Sequence, residues 1–151
     1  MTPDATDWAL LRLLERDATQ PASTLGRALG LSQPATWRRI QRLEQAGVLT
    51  GRHLDLDFEK LGFGVSVFLG VKLATKGRVS LEDFERAVIA IPEVQAVSHV
   101  LGLYDYRLRV VARDLADFER VLRRRIMTLP GVGDVEANVL LSEERLPGPL
   151  G

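Results

Sequence analysis

One short segment, Asp-Phe-Glu-Arg, occurs twice in this 151-residue chain and constrains the fold of its second half. The copies are residues 83–86 and 117–120. Each is followed by a similar turn signal, Ile-Pro-Glu-Val at 91–94 and Leu-Pro-Gly-Val at 129–132. Self-similarity of this kind indicates that one strand–helix–turn–strand unit is built twice, with slightly different helix lengths.

Apolar residues around the two copies recur at the spacing of helices that bury one face. The stripes comprise Leu81, Phe84, Val88 and Ile91 in the first copy and Leu115, Phe118, Leu122, Ile126 and Leu129 in the second. The segments predicted as strands are Val65–Leu73, Val94–Leu101, Tyr106–Val111 and Val135–Leu141. The order βαββαβ predicts an α+β, ferredoxin-like domain whose antiparallel sheet has helices on one face only.

The uncovered face of that sheet carries a further expectation. In segments such as Val-Ser-Val-Phe-Leu-Gly-Val, residues 65–71, we expect this face to be apolar, and an apolar sheet face must be covered. Two chains pairing sheet to sheet would cover it. We therefore expect an obligate homodimer.

The first half is predicted to contain three helices. Asp7 is of a residue type that caps helices. The apolar face of the first helix follows it and consists of Leu10, Leu11, Leu13 and Leu14. A short second helix fits residues 22–29. The third helix begins at Ser32, a good N-cap, carries Pro34 in its first turn, and ends at Gly47.

Two short strands are predicted after the third helix, at residues 48–50 and 52–56 on either side of Gly51. Three helices followed by a hairpin form a winged helix-turn-helix. We therefore expect two domains. Residues 1–63 are assigned to the winged helix-turn-helix with its linker, and residues 64–151 to the ferredoxin-like domain.

The third helix concentrates positive charge in a chain whose formal net charge is zero. In a helix-turn-helix this helix enters the major groove, where Arg and Gln match guanine and adenine edges and flanking Arg binds phosphates. The predicted DNA-contacting residues are Ser32, Gln33, Thr36, Trp37, Arg38, Arg39 and Arg42. The alternative is a solvated amphipathic helix, and a lone Trp37 on a polar face argues against it.

Composition excludes several other classes of protein. An isoelectric point near 6.7 excludes a generally basic nucleic-acid coat, so any DNA-binding surface is a local patch. The absence of cysteine excludes disulfides and thiol catalysis. His53 and His99 lack the spacing of metal ligands, and we expect neither metal nor cofactor. No signal peptide and no run of about 18 apolar residues is apparent, so we expect a cytoplasmic protein without a membrane segment.

The chain resembles the Lrp/AsnC family of bacterial and archaeal regulators over nearly its whole length. The matching motifs, in order, are Asp7 with Leu10 and Leu11, LSQPATWRRIQRLEQAGVL at 31–49, LGF at 61–63, GLYDYRLRV at 102–110, and LPGV at 129–132. The resemblance implies a helix-turn-helix joined to a ligand-sensing, RAM-type domain. It also implies dimers that assemble further, often to octamers, and transcription control at a double-stranded DNA operator.

The resemblance further implies an effector, commonly an amino acid, bound between dimers near Gly102, Leu103, Tyr104 and Asp105. By its chemistry, Asp105 can accept a hydrogen bond from an ammonium group or can cap its own turn. The family often carries Thr-x-Thr on its last strand, where this chain has Val135 and Ala137. Hydroxyls that would help to hold a polar effector are therefore missing.

Two alternatives to an effector-responsive regulator remain at this stage. Sirohaem-type tetrapyrrole decarboxylases resemble this chain in both halves, and Val97–His99 is similar to a stretch of theirs. The Tyr-Asp-Tyr segment at 104–106 and the arginine-rich third helix favour a regulator, so we do not expect an enzyme. The second alternative is an assembly protein that binds DNA with little sequence preference.

Overall fold

The computed structural model describes residues 1–75, 77–146 and 148–150, and the chain forms two compact units. The first, the helical unit, comprises Met1–Asp55 together with Glu144–Gly151, and the second, the sheet unit, comprises Leu56–Glu143. The units thus meet in sequence at residue 55, whereas the sequence pattern placed the boundary at residue 63. The last residues join the helical unit and not the domain that precedes them.

The helical unit contains α1 (Ala5–Arg16), α2 (Ala22–Leu29) and α3 (Gln33–Gln45). Local signals set the helix ends. Asp4 caps α1, Gly30 ends α2 with a φ of 68°, and the Ser32 side chain caps α3 by accepting a hydrogen bond from the Ala35 amide at 3.2 Å. The buried core consists of Leu10, Leu11, Leu14, Leu25, Ile40 and Leu43.

The predicted hairpin after α3 is wrong. Residues 48–56 contain no strand, so this helix-turn-helix lacks the wing. The amides of Val48 and Leu49 both donate to the carbonyl of Leu43, at 3.0 and 3.1 Å. These two amides therefore bond to the end of the helix and are not available for the hydrogen bonds of a hairpin. The following segment does not bury its apolar side chains, since Leu54 is 86% and Leu56 53% exposed.

The sheet unit confirms the predicted βαββαβ order. Its elements are β1 (Val65–Leu73), α4 (Arg78–Val88), β2 (Val94–His99), β3 (Tyr106–Ala112), α5 (Leu115–Val121) with a π-helical turn (Leu122–Ile126), and β4 (Val132–Val139). The strands are antiparallel in the order β2-β3-β1-β4. None of the helices in the described ranges is long and apolar enough to cross a membrane.

The second helical stripe differs from the prediction at Leu115, at the start of α5, and at Val121, which lies just before the π-helical turn. Phe118, Val121 and Ile126 are buried, whereas Leu115, placed in the stripe by its spacing, is 60% exposed. A π-helical turn has a wider hydrogen-bond loop than an α-helix and rotates the residues after it. The buried positions are therefore five residues apart between Val121 and Ile126.

The face of the sheet away from the helices is not apolar, which corrects the sequence-based expectation. On β1 the core side carries Val67, Leu69, Val71 and Leu73, and the other side carries Ser66, Phe68, Gly70 and Lys72. The Arg109 guanidinium lies 5.3 Å from the centre of the Phe68 ring, and Arg109 pairs with Glu143 at 2.7 and 2.9 Å. A polar, ion-paired face does not by itself demand a partner chain.

Candidate functional site

A close backbone approach fixes the start of α3 against α2. A Cβ atom added at Gly26 would lie 2.7 Å from the Leu31 carbonyl oxygen and 2.8 Å from Oγ1 of Thr36. No side chain fits there, so α2 meets the turn and the first turn of α3 through glycine. Gly26 is thus required by the turn between the two helices.

Two of the predicted DNA-contacting residues act within the first turn of α3. Ser32 caps the helix through its Oγ and remains exposed. Thr36 is fully buried, and its Oγ1 donates to the Ser32 carbonyl at 2.9 Å. Thr36 therefore packs into the core, and it is not available on the surface of α3.

The exposed face of α3 carries Gln33, Trp37 and Arg38 side by side. Trp37 is 53% exposed, which is unusual for an indole ring on a polar helix face. Within the described ranges Arg38 makes no ion pair. This face thus presents a free guanidinium, an amide and an indole, which match base edges, phosphates and sugars.

The other two arginines of α3 bind carboxylates at the start of α1. Nη1 of Arg39 lies 2.8 Å from Oδ2 of Asp4 and 2.8 Å from Oδ1 of Asp7. Nη2 of Arg42 lies 3.1 Å from Oδ2 of Asp7. Asp4 and Asp7 also form a reciprocal capping box, each side chain accepting from the other's amide, at 3.0 and 2.8 Å.

These pairs change the electrostatics of the predicted interface. The hydrogen bond from Arg39 lowers the pKa of the Asp4 carboxyl, and the two aspartates raise the pKa of the Arg39 guanidinium. Positive charge on α3 is therefore largely offset by α1, except at Arg38. The sequence pattern did not indicate Asp4, and it indicated Asp7 only as a helix cap. The Asp-x-x-Asp spacing was the available signal for the capping box, but not for its arginine partners.

The predicted effector turn lies between β2 and β3, and its residues have well-defined roles in the sheet unit. Oδ2 of Asp105 accepts from the Leu73 amide at 2.8 Å, and the Asp105 amide donates to the Val71 carbonyl at 2.9 Å. This carboxylate is thus bonded to a neighbouring strand, a partner that the sequence did not indicate. Leu103 and Gly102 remain exposed at the tip of the turn.

Tyr104 of the same turn lies against the sheet. A Cβ atom added at Gly70 would come within 2.9 Å of Cγ of the Tyr104 ring, so the ring rests directly on the glycine backbone. The Arg107 guanidinium lies 5.3 Å from the ring centre, and a hydrogen bond with Glu136 raises the pKa of the Tyr104 hydroxyl. The turn is therefore positioned by residues of β1, β3 and β4.

His99 lies on the helix-covered side of the sheet. Its ring stacks on Tyr106 with centroids 4.7 Å apart, and the buried Tyr106 hydroxyl donates to Glu85 at 2.5 Å. Burial and the Glu85 carboxylate raise the pKa of Tyr106. This arrangement ties α4 to β2 and β3.

Comparison with known proteins agrees with both units. The AsnC-type helix-turn-helix domain model matches residues 4–44, and the Lrp/AsnC ligand-binding domain model matches residues 66–147. The chain is 31% identical to the DNA-binding transcriptional activator DecR of Escherichia coli K12, covering 93% of this chain and 92% of that protein. It is 33% identical to the Bkd operon transcriptional regulator of Pseudomonas aeruginosa, covering 95% and 94%.

Solved structures show the same fold. An AsnC family transcriptional regulator from Agrobacterium tumefaciens superposes with a TM-score of 0.88 at 32% identity, covering 99% of this chain and 97% of that one. A transcriptional regulator from Neisseria meningitidis in complex with L-Met gives a TM-score of 0.89 at 26% identity, covering 97% and 95%. With a matching helix-turn-helix, a matching ligand-binding domain and relatives that align end to end, the chain belongs to the Lrp/AsnC family of DNA-binding transcriptional regulators.

Proposed function

We propose that this regulator recognises its operator through the exposed face of α3, with Arg38 and Gln33 at base edges and Trp37 against the backbone or a base. The supporting observation is that Arg38 is the arginine of α3 without a carboxylate partner among the described residues, and it lies beside an exposed indole. Ser32 lies at the helix start, where N-terminal amides approach phosphate. Arg42, 53% exposed, flanks the face and reaches phosphate at the expense of its bond to Asp7.

We propose further that the chain acts as a homodimer that assembles to higher oligomers, as the family resemblance implies. Two copies of α3 related by a twofold axis would read half-sites about 34–36 Å apart on one side of the duplex. Support comes from the family and from this geometry, and not from the sheet face, which is polar.

An amino-acid effector is proposed at the turn formed by Gly102, Leu103, Tyr104 and Asp105. The Neisseria relative was solved with L-Met, and the turn presents Leu103 to solvent, where an apolar side chain finds a partner. Val135 and Ala137 pair with Val71 and Leu69 of β1 and supply no hydroxyl. An effector with an apolar side chain fits this turn better than a polar one.

The test is fluorescence anisotropy of the purified full chain with the intergenic DNA beside its own gene, against random duplex, at two salt concentrations and with or without the twenty amino acids. Preferential binding that changes with an amino acid would support the whole proposal. Preferential binding without any response would refute the effector. Equal binding to all duplexes would refute operator recognition and favour a non-specific assembly protein.

A further inference from the structure

An apolar groove of about 430 Å³ runs along α1 of the helical unit, and we call it the α1 groove. Its walls are mainly apolar and come from α1 and from the segment after α3: Trp8, Leu11, Leu14, Val48 and Leu49. Glu15, Arg52 and His53 lie at its polar margin. Leu11 and Leu14 also belong to the hydrophobic core of the helical unit, so the groove is directly adjacent to that core.

The structure itself shows what the α1 groove accepts. Leu150 lines the groove and packs against the core of the helical unit. Nε of Arg12, on α1, donates to the Leu150 main-chain carbonyl at 2.9 Å. One aliphatic side chain of the C-terminal residues thus forms part of the groove wall, and an arginine holds the main-chain oxygen of the same residue. This combination suits a short peptide segment that carries a leucine.

Two more contacts bring residues 144–146 and 148–150, here called the tail segment, onto the helical unit. Arg145 forms an ion pair with Asp55, which is exposed and therefore contributes little by itself. Gly148 lies against the end of the Glu15 side chain, which extends from α1. The tail segment therefore meets the helical unit at three separate points.

We propose that the α1 groove is a docking surface for the chain's own tail segment, that Leu150 is the residue it recognises, and that docking stabilises the helix-turn-helix. Leu150 lines the groove together with residues of α1 and of the segment that follows α3. Because the amides of Val48 and Leu49 are bonded to the last turn of α3, a tail segment seated beside them helps to hold α3 against α1. Without the tail segment, the groove walls formed by Trp8, Leu11 and Leu14 would be more exposed to water.

The experiment uses the full chain in a Trp37→Phe background, which leaves Trp8 of the groove as the sole tryptophan. Leu150→Asp places a carboxylate in the apolar groove. Leu146→Asp, in the same segment but 79% exposed, is the matched control. We expect Leu150→Asp to red-shift Trp8 emission and to lower the Tm by about 2–4 °C or more, with Leu146→Asp near the parent.

A peptide of residues 143–151 added to the Leu150→Asp chain should return Trp8 emission to the parental wavelength, and the same peptide with Asp at position 150 should not. Identical emission and Tm in the two Asp variants would overturn the proposal. An emission that varies with protein concentration would assign the groove to the tail of a second copy and overturn docking within the chain. None of these readouts requires DNA, so they stand or fall separately from operator recognition.

Discussion

Nη1 of Arg39 lies 2.8 Å from Oδ1 of Asp7, a carboxylate that is fully buried at the start of α1. This pair joins α3, the helix proposed to contact DNA, to the first helix of the unit. Asp7 holds Arg42 as well and caps its own helix, so one acidic side chain serves three partners. The orientation of α3 therefore depends on a residue outside the helix-turn-helix pair α2–α3.

Replacing Asp7 tests that dependence. Asp7→Ala leaves the Asp4 amide without its cap and removes a partner from two arginines, so we expect the free energy of unfolding to fall by about 1–3 kcal/mol. Urea denaturation followed by circular dichroism measures it. Glu82→Ala, which breaks an exposed pair between Glu82 and Arg78, is the control and should cost less than about 0.5 kcal/mol. Equal effects in the two variants would contradict the role given to Asp7.

The neighbouring arginines Arg38 and Arg39 should separate DNA recognition from folding. We expect Arg38→Ala to weaken operator binding by about 1–3 kcal/mol while leaving stability unchanged within about 0.5 kcal/mol. Arg39→Ala should lower stability, because it leaves the buried Asp7 with one arginine instead of two. Anisotropy titrations and urea curves on both variants check this. A stability loss confined to Arg38→Ala would invert the assignment.

Acid stability should depend on Asp117. Its carboxyl accepts from the Arg113 and Arg120 guanidinium groups and from the Arg113 amide, and these bonds hold its pKa well below the usual range. A carboxyl whose pKa is lower in the folded than in the unfolded state stabilises the folded protein. The contribution is complete above the unfolded-state pKa, near 4, and is lost as the pH falls through the folded-state pKa. We expect the urea concentration at the unfolding midpoint of the parent protein to decrease once the pH is lowered below about 4. Asp117→Asn should show a shallower drop, and an unchanged pH profile would contradict the prediction.

Gly70 and Gly102 offer a matched pair for the effector turn. An alanine at Gly70 would press on the Tyr104 ring, so we expect Gly70→Ala to cost about 1–3 kcal/mol. A Cβ atom at Gly102 meets nothing within 4 Å, so Gly102→Ala should be nearly neutral. Thermal unfolding compares the two. If Gly102→Ala proved the more damaging change, the turn would not be positioned through Tyr104.

Elements governed by local sequence were predictable. β1 spans Val65–Leu73 as expected because its alternating apolar residues pack under the helices, and α3 follows its cap at Ser32 and its proline. The π-helical turn and the missing hairpin were not predictable from local sequence. Both arise where main-chain groups can form hydrogen bonds with either local or distant partners. Val48 and Leu49 bond back to Leu43, which a strand pattern cannot reveal.

The candidate site shows the same division. Helix periodicity put Gln33, Trp37 and Arg38 on one face, and the structure places them there. It could not distinguish Arg38 from Arg39, because the partners of Arg39 lie 32 and 35 residues away. The tail segment was assigned to the ferredoxin-like domain for a related reason: a Pro- and Gly-rich stretch has no periodicity, and it meets the helical unit through isolated contacts of Arg145, Gly148 and Leu150.

Because the helical unit is assembled from both ends of the chain, it cannot be exchanged between relatives by a single crossover. A hybrid regulator that joins residues 1–63 of this protein to the ligand-binding domain of another family member would inherit a foreign segment against its own α1. Its new tail would have to offer a leucine to Trp8 and a carbonyl to Arg12. Engineering a new effector response onto this DNA-reading unit therefore calls for two junctions, one near Asp55 and one near Glu143.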